Sequence, residues 1–261
     1  MLNKNKLKDK LQSGKPVIGI WNTLASPIVT EIIAQAGFDF QIIDLEHGPF
    51  IINDIHSHIS ACEVSSQCTP LVRIPENQEW MVLQALDQGS YGIVAPHIDS
   101  KESAEKLIQH TRYSPKGNRG FTPFSKAGGF TNTHNKDYVL RANTEILNVV
   151  IIESKEGLDE LQNILEVDEV DIVYFGAYDL SQSLGCHGDV KNNKVVSAIK
   201  QGVNLVNQYG KYAGGFVPQT QEDIKWLLDM GMKFITYQVD SSIIYSNVSA
   251  INNWFSKETG Q

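Results

Sequence analysis

This sequence lacks the features that mark several large classes of protein. It has three cysteines, Cys62, Cys68 and Cys186, an odd number with no CxxC spacing, so no disulfide framework is expected and a reducing compartment is. No His/Cys cluster has the spacing of a zinc site. No window approaches ~18 unbroken apolar residues, so no membrane-spanning helix is expected. The segment MLNKNKLKDKLQSGK is polar where a secretory signal needs an apolar stretch. The expectation is a cytoplasmic protein. No run of like charges forms a tail, and a net charge of −8 disfavours nucleic acid and anionic membrane as partners. The first apolar run leads into WNTLASP, without the GxGxxG turn of a dinucleotide-binding sheet.

What the sequence does have is a rhythm. Its 41% hydrophobic residues suffice for a substantial core, and they fall into short runs at 17–23, 40–46, 70–75, 92–98, 147–154, 171–179, 212–217 and 233–240. These runs are too short for helices, are rich in β-branched and aromatic residues, and lack strict alternation, as strands buried on both faces do. Amphipathic segments lie between them. Those at 26–37, 77–89 and 220–231 each close on a glycine, the usual left-handed helix stop. Eight βα units in ~250 residues predict a (β/α)8 barrel spanning 1–261 as one domain, with a doubly wound open sheet as the alternative. One long connection, 114–135, is rich in Gly, Ser, Thr and Asn, and loops of that length are usually functional or mobile.

Charge is tolerated mainly at a barrel's rims, and the C-terminal rim is where catalytic groups gather. The runs end on charge: Asp44, Glu46 and His47 after the second, Arg73 in the third, His97 near the fourth, Glu153 after the fifth, Asp179 after the sixth and Asp240 after the eighth. Glu153 and Asp179 could share a divalent cation, since two facing carboxylates repel without one; each could equally cap the helix that follows. Asp44 could orient His47 for proton transfer, or His47 could be an ordinary loop residue. Arg73 could bind a carboxylate of a ligand or pair with Asp44 or Glu46. For Asp240 the expectation is a helix cap or a rim salt bridge. His56, His58, His97, His110, His134 and His187 are read as structural, and the cysteines as inert thiols.

Several ordered motifs together resemble the HpcH/HpaI aldolase family of metal-dependent pyruvate aldolases: DLEHGPF, PLVRIP, VLQALDQGSYGIVAPHI, RYSPKGNRGF, IIESKEGLDELQNIL and VYFGAYDLSQSLG. The resemblance runs nearly end to end. It implies reversible cleavage of a 2-keto-3-deoxy-4-hydroxy acid to pyruvate, or a close 2-keto acid, and an aldehyde. It also implies that Glu153 and Asp179 bind a divalent cation (Mg2+, Mn2+ or Co2+) and that Arg73 holds the keto oxygen. His47, paired with Asp44, would handle the proton. Gly176, Ala177 and Tyr178, with the amides running to Asp179, would receive the substrate carboxylate. Asp87 would reach into a neighbouring subunit's site, in a hexamer of barrel dimers that exchange their last helices. No strand interior carries a lysine, which disfavours a Schiff-base route and favours the metal one.

Three departures from the family pattern stand out. Ile151 takes the place of a Gln two residues before Glu153, Ala177 that of a Pro, and Lys126 that of an arginine. They place the substrate in question. An acyl-CoA lyase and a catalytically silent keto-acid-binding relative therefore stand as alternatives. The 114–135 loop and a neighbouring subunit are expected to select the aldehyde.

Overall fold

Eight parallel strands close on themselves in sequence order, β1-β2-β3-β4-β5-β6-β7-β8, each paired with the next and β8 with β1. The strands are β1 (Val17–Asn22), β2 (Phe40–Asp44), β3 (Thr69–Arg73), β4 (Gly92–Ala95), β5 (Leu147–Ile152), β6 (Ile172–Phe175), β7 (Tyr212–Val217) and β8 (Phe234–Val239). This is the (β/α)8 barrel that the eight apolar runs predict, not the open sheet. The structure is a computed structural model and describes residues 3–65, 67–131, 136–217 and 220–260. His134 lies outside the described residues.

The helices are α1 (Lys6–Gln12), α2 (Pro27–Gln35), α3 (Ile55–Glu63), α4 (Glu79–Asp87), α5 (Lys101–Thr111), α6 (Lys136–Glu145), α7 (Lys155–Asp159), α8 (Leu161–Leu165), α9 (Ala177–Ser183), α10 (Asn193–Gln208), α11 (Gln221–Asp229) and α12 (Asp240–Thr259). The three glycine stops behave alike. Gly37, Gly89 and Gly231 follow α2, α4 and α11 with φ of 95°, 104° and 97°. A Cβ at such φ meets the neighbouring carbonyl, so glycine is the least strained residue there. The segment at 155–167 forms two short helices, α7 and α8, rather than one.

Strand parity divides the core in two. On β5, Leu147, Val149 and Ile151 point into the barrel with Phe40, Ile42, Leu71, Val94, Ile172, Tyr174 and Phe234. The alternate residues Val150 and Ile152 face the helical ring with Ile43, Val72, Ile93, Val173 and Phe175. The interior is therefore a packed layer and not a pore. Phe40 and Phe234 stack at 4.1 Å across it. At the N-terminal end, Leu7 and Leu11 of α1 are buried against this interior set. The polar opening segment thus hides a two-leucine plug, which its two isolated apolar positions barely advertise.

The same parity aims the strand ends. Residues two beyond an inward one are inward again, so Ile42 leads to Asp44, Leu71 to Arg73, Ile151 to Glu153 and Tyr174 to Gly176. Asp240 is the first residue of α12. Its carboxylate accepts the backbone N–H groups of Thr23 and Leu24 at 2.9 and 3.0 Å and the Thr23 hydroxyl at 2.9 Å. It ties the end of β8 to the β1–α2 loop; Val239 is the N-cap of α12, and among the described residues Asp240 makes no salt bridge.

Candidate active site

A cavity of about 230 Å3 opens at the C-terminal end of the barrel. Asp44, His47, Arg73, Glu153, Gly176, Ala177, Tyr178 and Asp179 all line it, contributed by the ends of β2, β3, β5 and β6. Trp21, Ile151, Tyr174 and Val239 supply its apolar wall. A cleft of about 380 Å3 at the opposite end is lined by Lys4, Lys6, Glu63 and Lys126 among others. Its Lys4 and Lys126 are already matched by Asp9 and Glu63, and no strand end delivers charge to it.

Arg73 organises one side of the mouth. Its Nε donates to Asp44 Oδ1 at 2.8 Å and its Nη2 to Asp44 Oδ2 at 2.5 Å, while Nη1 lies 2.8 Å from Glu46 Oε2. The guanidinium also sits 4.3 Å over the Trp21 ring, a favourable cation–π position. Burial pulls the Arg73 pKa down, but the hydrogen bond and charge of Asp44, with Glu46, outweigh it and leave the group above its ordinary value. Arg73 is thus a fixed cation with both acids around it.

This arrangement takes Asp44 away from His47. Asp44 Oδ1 also accepts the backbone N–H groups of Glu46 and His47 at 3.0 and 3.2 Å. The carboxylate meets His47 at its amide, not at its imidazole, so no Asp44–His47 side-chain dyad forms. A carboxylate on a buried strand end takes the strongest donor in reach, and a bidentate guanidinium outcompetes an exposed imidazole. His47 remains exposed at the rim of the cavity.

Glu153 is buried, and its Oε1 accepts the His97 backbone N–H at 2.8 Å. The His97 imidazole Nδ1 lies 2.9 Å from the same oxygen. Burial raises the Glu153 pKa. His97 works against that, and the charges of Glu46 and Asp179 add to it. Glu153 does not cap α7; Ser154 does, accepting from the Gly157 N–H. Asp179 stands in the first turn of α9, whose N-cap is Gly176. The sequence predicts a structural role for His97; its contact with Glu153 depends on a backbone φ of +53° that nothing in the local sequence announces.

The Glu153–Asp179 corner suits a divalent cation. Its donors are hard carboxylate oxygens, the type that Mg2+ and Mn2+ take. Gly176 makes the space: a Cβ there would come within 2.9 Å of Glu153 Oε2. Among the described residues no group of three or more His, Cys, Asp or Glu side chains converges as a metal cage. The two-carboxylate corner is the kind of site that Mg2+ occupies with water and substrate oxygens completing its octahedron.

Asp87 lies elsewhere. It ends α4, just before β4 begins, at the end of the barrel opposite the cavity. There it pairs with Arg119 Nη2 at 2.7 Å, and its carbonyl accepts the Ala127 N–H. The described part of the long connection, 114–131, packs at this same end, with Lys126 Nζ 2.7 Å from Glu63. This described part therefore does not reach the mouth of its own barrel. Helices run antiparallel to strands in a βα unit, and a loop that follows α5 must emerge at the N-terminal face.

The chain belongs to the HpcH/HpaI aldolase/citrate lyase family, which matches residues 17–246. It is a carbon–carbon lyase. It is 32% identical over 253 residues to a 5-keto-4-deoxy-D-glucarate aldolase of Shigella boydii, covering 97% of both chains. A HpcH/HpaI aldolase/citrate lyase family protein from Burkholderia cenocepacia has the same barrel, with TM-score 0.90 and 30% identity over 97% of this chain and 100% of that one. Citrate synthase SbnG is similar at TM-score 0.88 and 30% identity, over 98% and 99% of the two chains. Among the described residues no helix is long and apolar enough to cross a membrane.

Proposed function

We propose that this chain is a metal-dependent aldolase that reversibly cleaves a 2-keto-4-hydroxy acid to pyruvate, or a close 2-keto acid, and an aldehyde. The observation that carries the reading is the pair of carboxylates, Glu153 and Asp179, turned into one cavity beside a buried arginine. The similarity to 5-keto-4-deoxy-D-glucarate aldolases supports it. Glu153 and Asp179 would hold a divalent cation, which would supply Lewis-acid charge worth several kcal/mol where negative charge develops on the keto oxygen. Arg73, fixed by Asp44 and Glu46, offers a second positive group to the keto oxygen. The residues at the start of α9, Gly176, Ala177 and Tyr178, receive the substrate carboxylate. His47 takes the proton of the C4 hydroxyl. The C3–C4 bond then breaks, its electron pair passes into the enolate, the aldehyde leaves, and the proton returns to C3 to give the 2-keto acid. Trp21, Ile151 and Tyr174 form the apolar wall of the same cavity.

The working unit in this reading is an oligomer. Helix α12 is exposed along its length, and Ile244, Val248, Ile251 and Phe255 form one apolar stripe at i, i+4, i+7 and i+11. Val248 and Ile251 are 60% and 65% exposed. A second copy of the chain covers this stripe, and in the hexamer Asp87 reaches into a neighbouring subunit's site. The acyl-CoA reading is weaker, because among the described residues Arg73 is the one Lys or Arg that lines the cavity and both neighbouring acids already hold it.

The test is exchange of the pyruvate methyl protons into heavy water, followed by NMR, with and without added Mn2+. Metal-dependent exchange that is lost in Glu153→Ala is expected. Tight metal binding with no exchange would favour a silent keto-acid binder. A screen of aldehydes with pyruvate then names the acceptor.

A further inference from the structure

We propose that His97 is a positioning residue for Glu153. Its backbone N–H and its imidazole together hold one carboxylate oxygen, so that the other faces the cation corner over Gly176. The inference rests on the metal reading above and assigns this chain a residue that supports the ligand.

On β4, Val94 points into the barrel, and Ile93 and Ala95 point out to the helices. Continued extended backbone would send His97 outward with Ile93 and Ala95. It does not go there. His97 takes a left-handed φ of +53°, a conformation uncommon outside glycine, although histidine enters it more readily than most side chains. That turn lets the His97 backbone N–H donate to Glu153 Oε1 at 2.8 Å and places the imidazole Nδ1 2.9 Å from the same oxygen. Strained backbone that persists at a site is held there by its surroundings, and here it serves the aim of a single side chain.

With Oε1 occupied, Oε2 lies over Gly176, where an added Cβ would crowd it at 2.9 Å. The hold continues around the mouth: His97 Nε2 is 3.6 Å from Glu46 Oε1, and Glu46 Oε2 is 2.8 Å from Arg73. His97 thus lies between the carboxylate that faces the cation corner and the acid that fixes the arginine. An ordinary exposed loop histidine explains neither the backbone turn nor the convergence of two nitrogens on one oxygen.

The experiment is calorimetric titration of Mn2+ into wild type, His97→Ala, His97→Gly and His97→Asn, with Glu153→Gln as the non-binding control and thermal melts to confirm folding. His97→Gly keeps the amide and relaxes the turn, so it isolates the imidazole. Loss of such an outer partner weakens metal binding about 10- to 100-fold, and that loss is expected in His97→Ala and His97→Gly. Asparagine tolerates left-handed φ, and its side-chain amide nitrogen can stand where Nδ1 stands, so His97→Asn is expected to recover a large part of the affinity. Wild-type affinity in both His97→Ala and His97→Gly overturns the proposal. So does a loss that His97→Asn does not recover at all, because it would make the imidazole a ligand. If wild type itself binds no Mn2+, the metal reading falls and this inference falls with it.

Discussion

Asp44 and Arg73 meet side by side on neighbouring strands, in register at the last pair of β2 and β3, and the carboxylate grips the guanidinium at both Nε and Nη2. The pair converts a buried positive charge from a liability into a fixed element of the site. Removing one partner of a buried pair strands the other. Asp44→Ala is therefore expected to destabilise the fold by about 3–5 kcal/mol, toward the low end because Glu46 remains, as read by urea unfolding. Arg73→Lys, which loses the planar fork, is expected to fold but to lower pyruvate proton exchange about 100-fold. Unchanged exchange in Arg73→Lys would remove Arg73 from the chemistry.

Glu153 carries a pH prediction. Burial raises its pKa above the ordinary carboxylate value, with Glu46 and Asp179 adding to the shift. The folded state then holds this proton more tightly than the unfolded chain does. Its stabilising effect is complete below the ordinary value and is lost as pH rises through the folded pKa. In metal-free protein, Glu153→Gln should melt higher than wild type at neutral pH, and the gap should close on acidification. A gap that widens toward acid would contradict the shift. Added Mn2+ should stabilise wild type and not the variant.

Gly176 is tested by one methyl group. Its φ of −76° suits any residue, so Gly176→Ala carries no backbone strain. The new Cβ would instead press on Glu153 at 2.9 Å. A melting temperature lowered by an overpacking cost of about 1–3 kcal/mol is expected, with Mn2+ affinity reduced at least about tenfold as Glu153 is displaced. Wild-type affinity would show that the carboxylate has room to move and that the glycine is incidental.

Helix α12 predicts an assembly. Its stripe of Ile244, Val248, Ile251 and Phe255 is exposed in the single chain, and contiguous apolar surface of this kind marks an interaction face. The double substitution Val248→Asp, Ile251→Asp is expected to turn an oligomer into monomers by light scattering while leaving the circular dichroism of the barrel unchanged. If wild type is itself monomeric at micromolar concentration, the oligomer and the role of Asp87 in a neighbour's site fail together.

The barrel is legible in the amino-acid order because its signals are local. Short β-branched runs such as VVII, glycine stops such as Gly37, Gly89 and Gly231, and charges set at strand ends all act within a few residues of themselves. Parity then carries Asp44, Arg73 and Glu153 to one mouth, since a strand's period is short and regular. Tertiary structure decided the partners. Arg73 lies near both Asp44 and Glu46, and the nearness of the guanidinium across the β2–β3 ladder settled that Asp44 would bind it rather than His47. The left-handed turn of His97, the underside position of the 114–131 loop, the two-leucine plug of α1 and the bare stripe of α12 likewise depend on contacts between distant segments. Those contacts are selected by the energy of the closed barrel as a whole, which no short window of sequence contains.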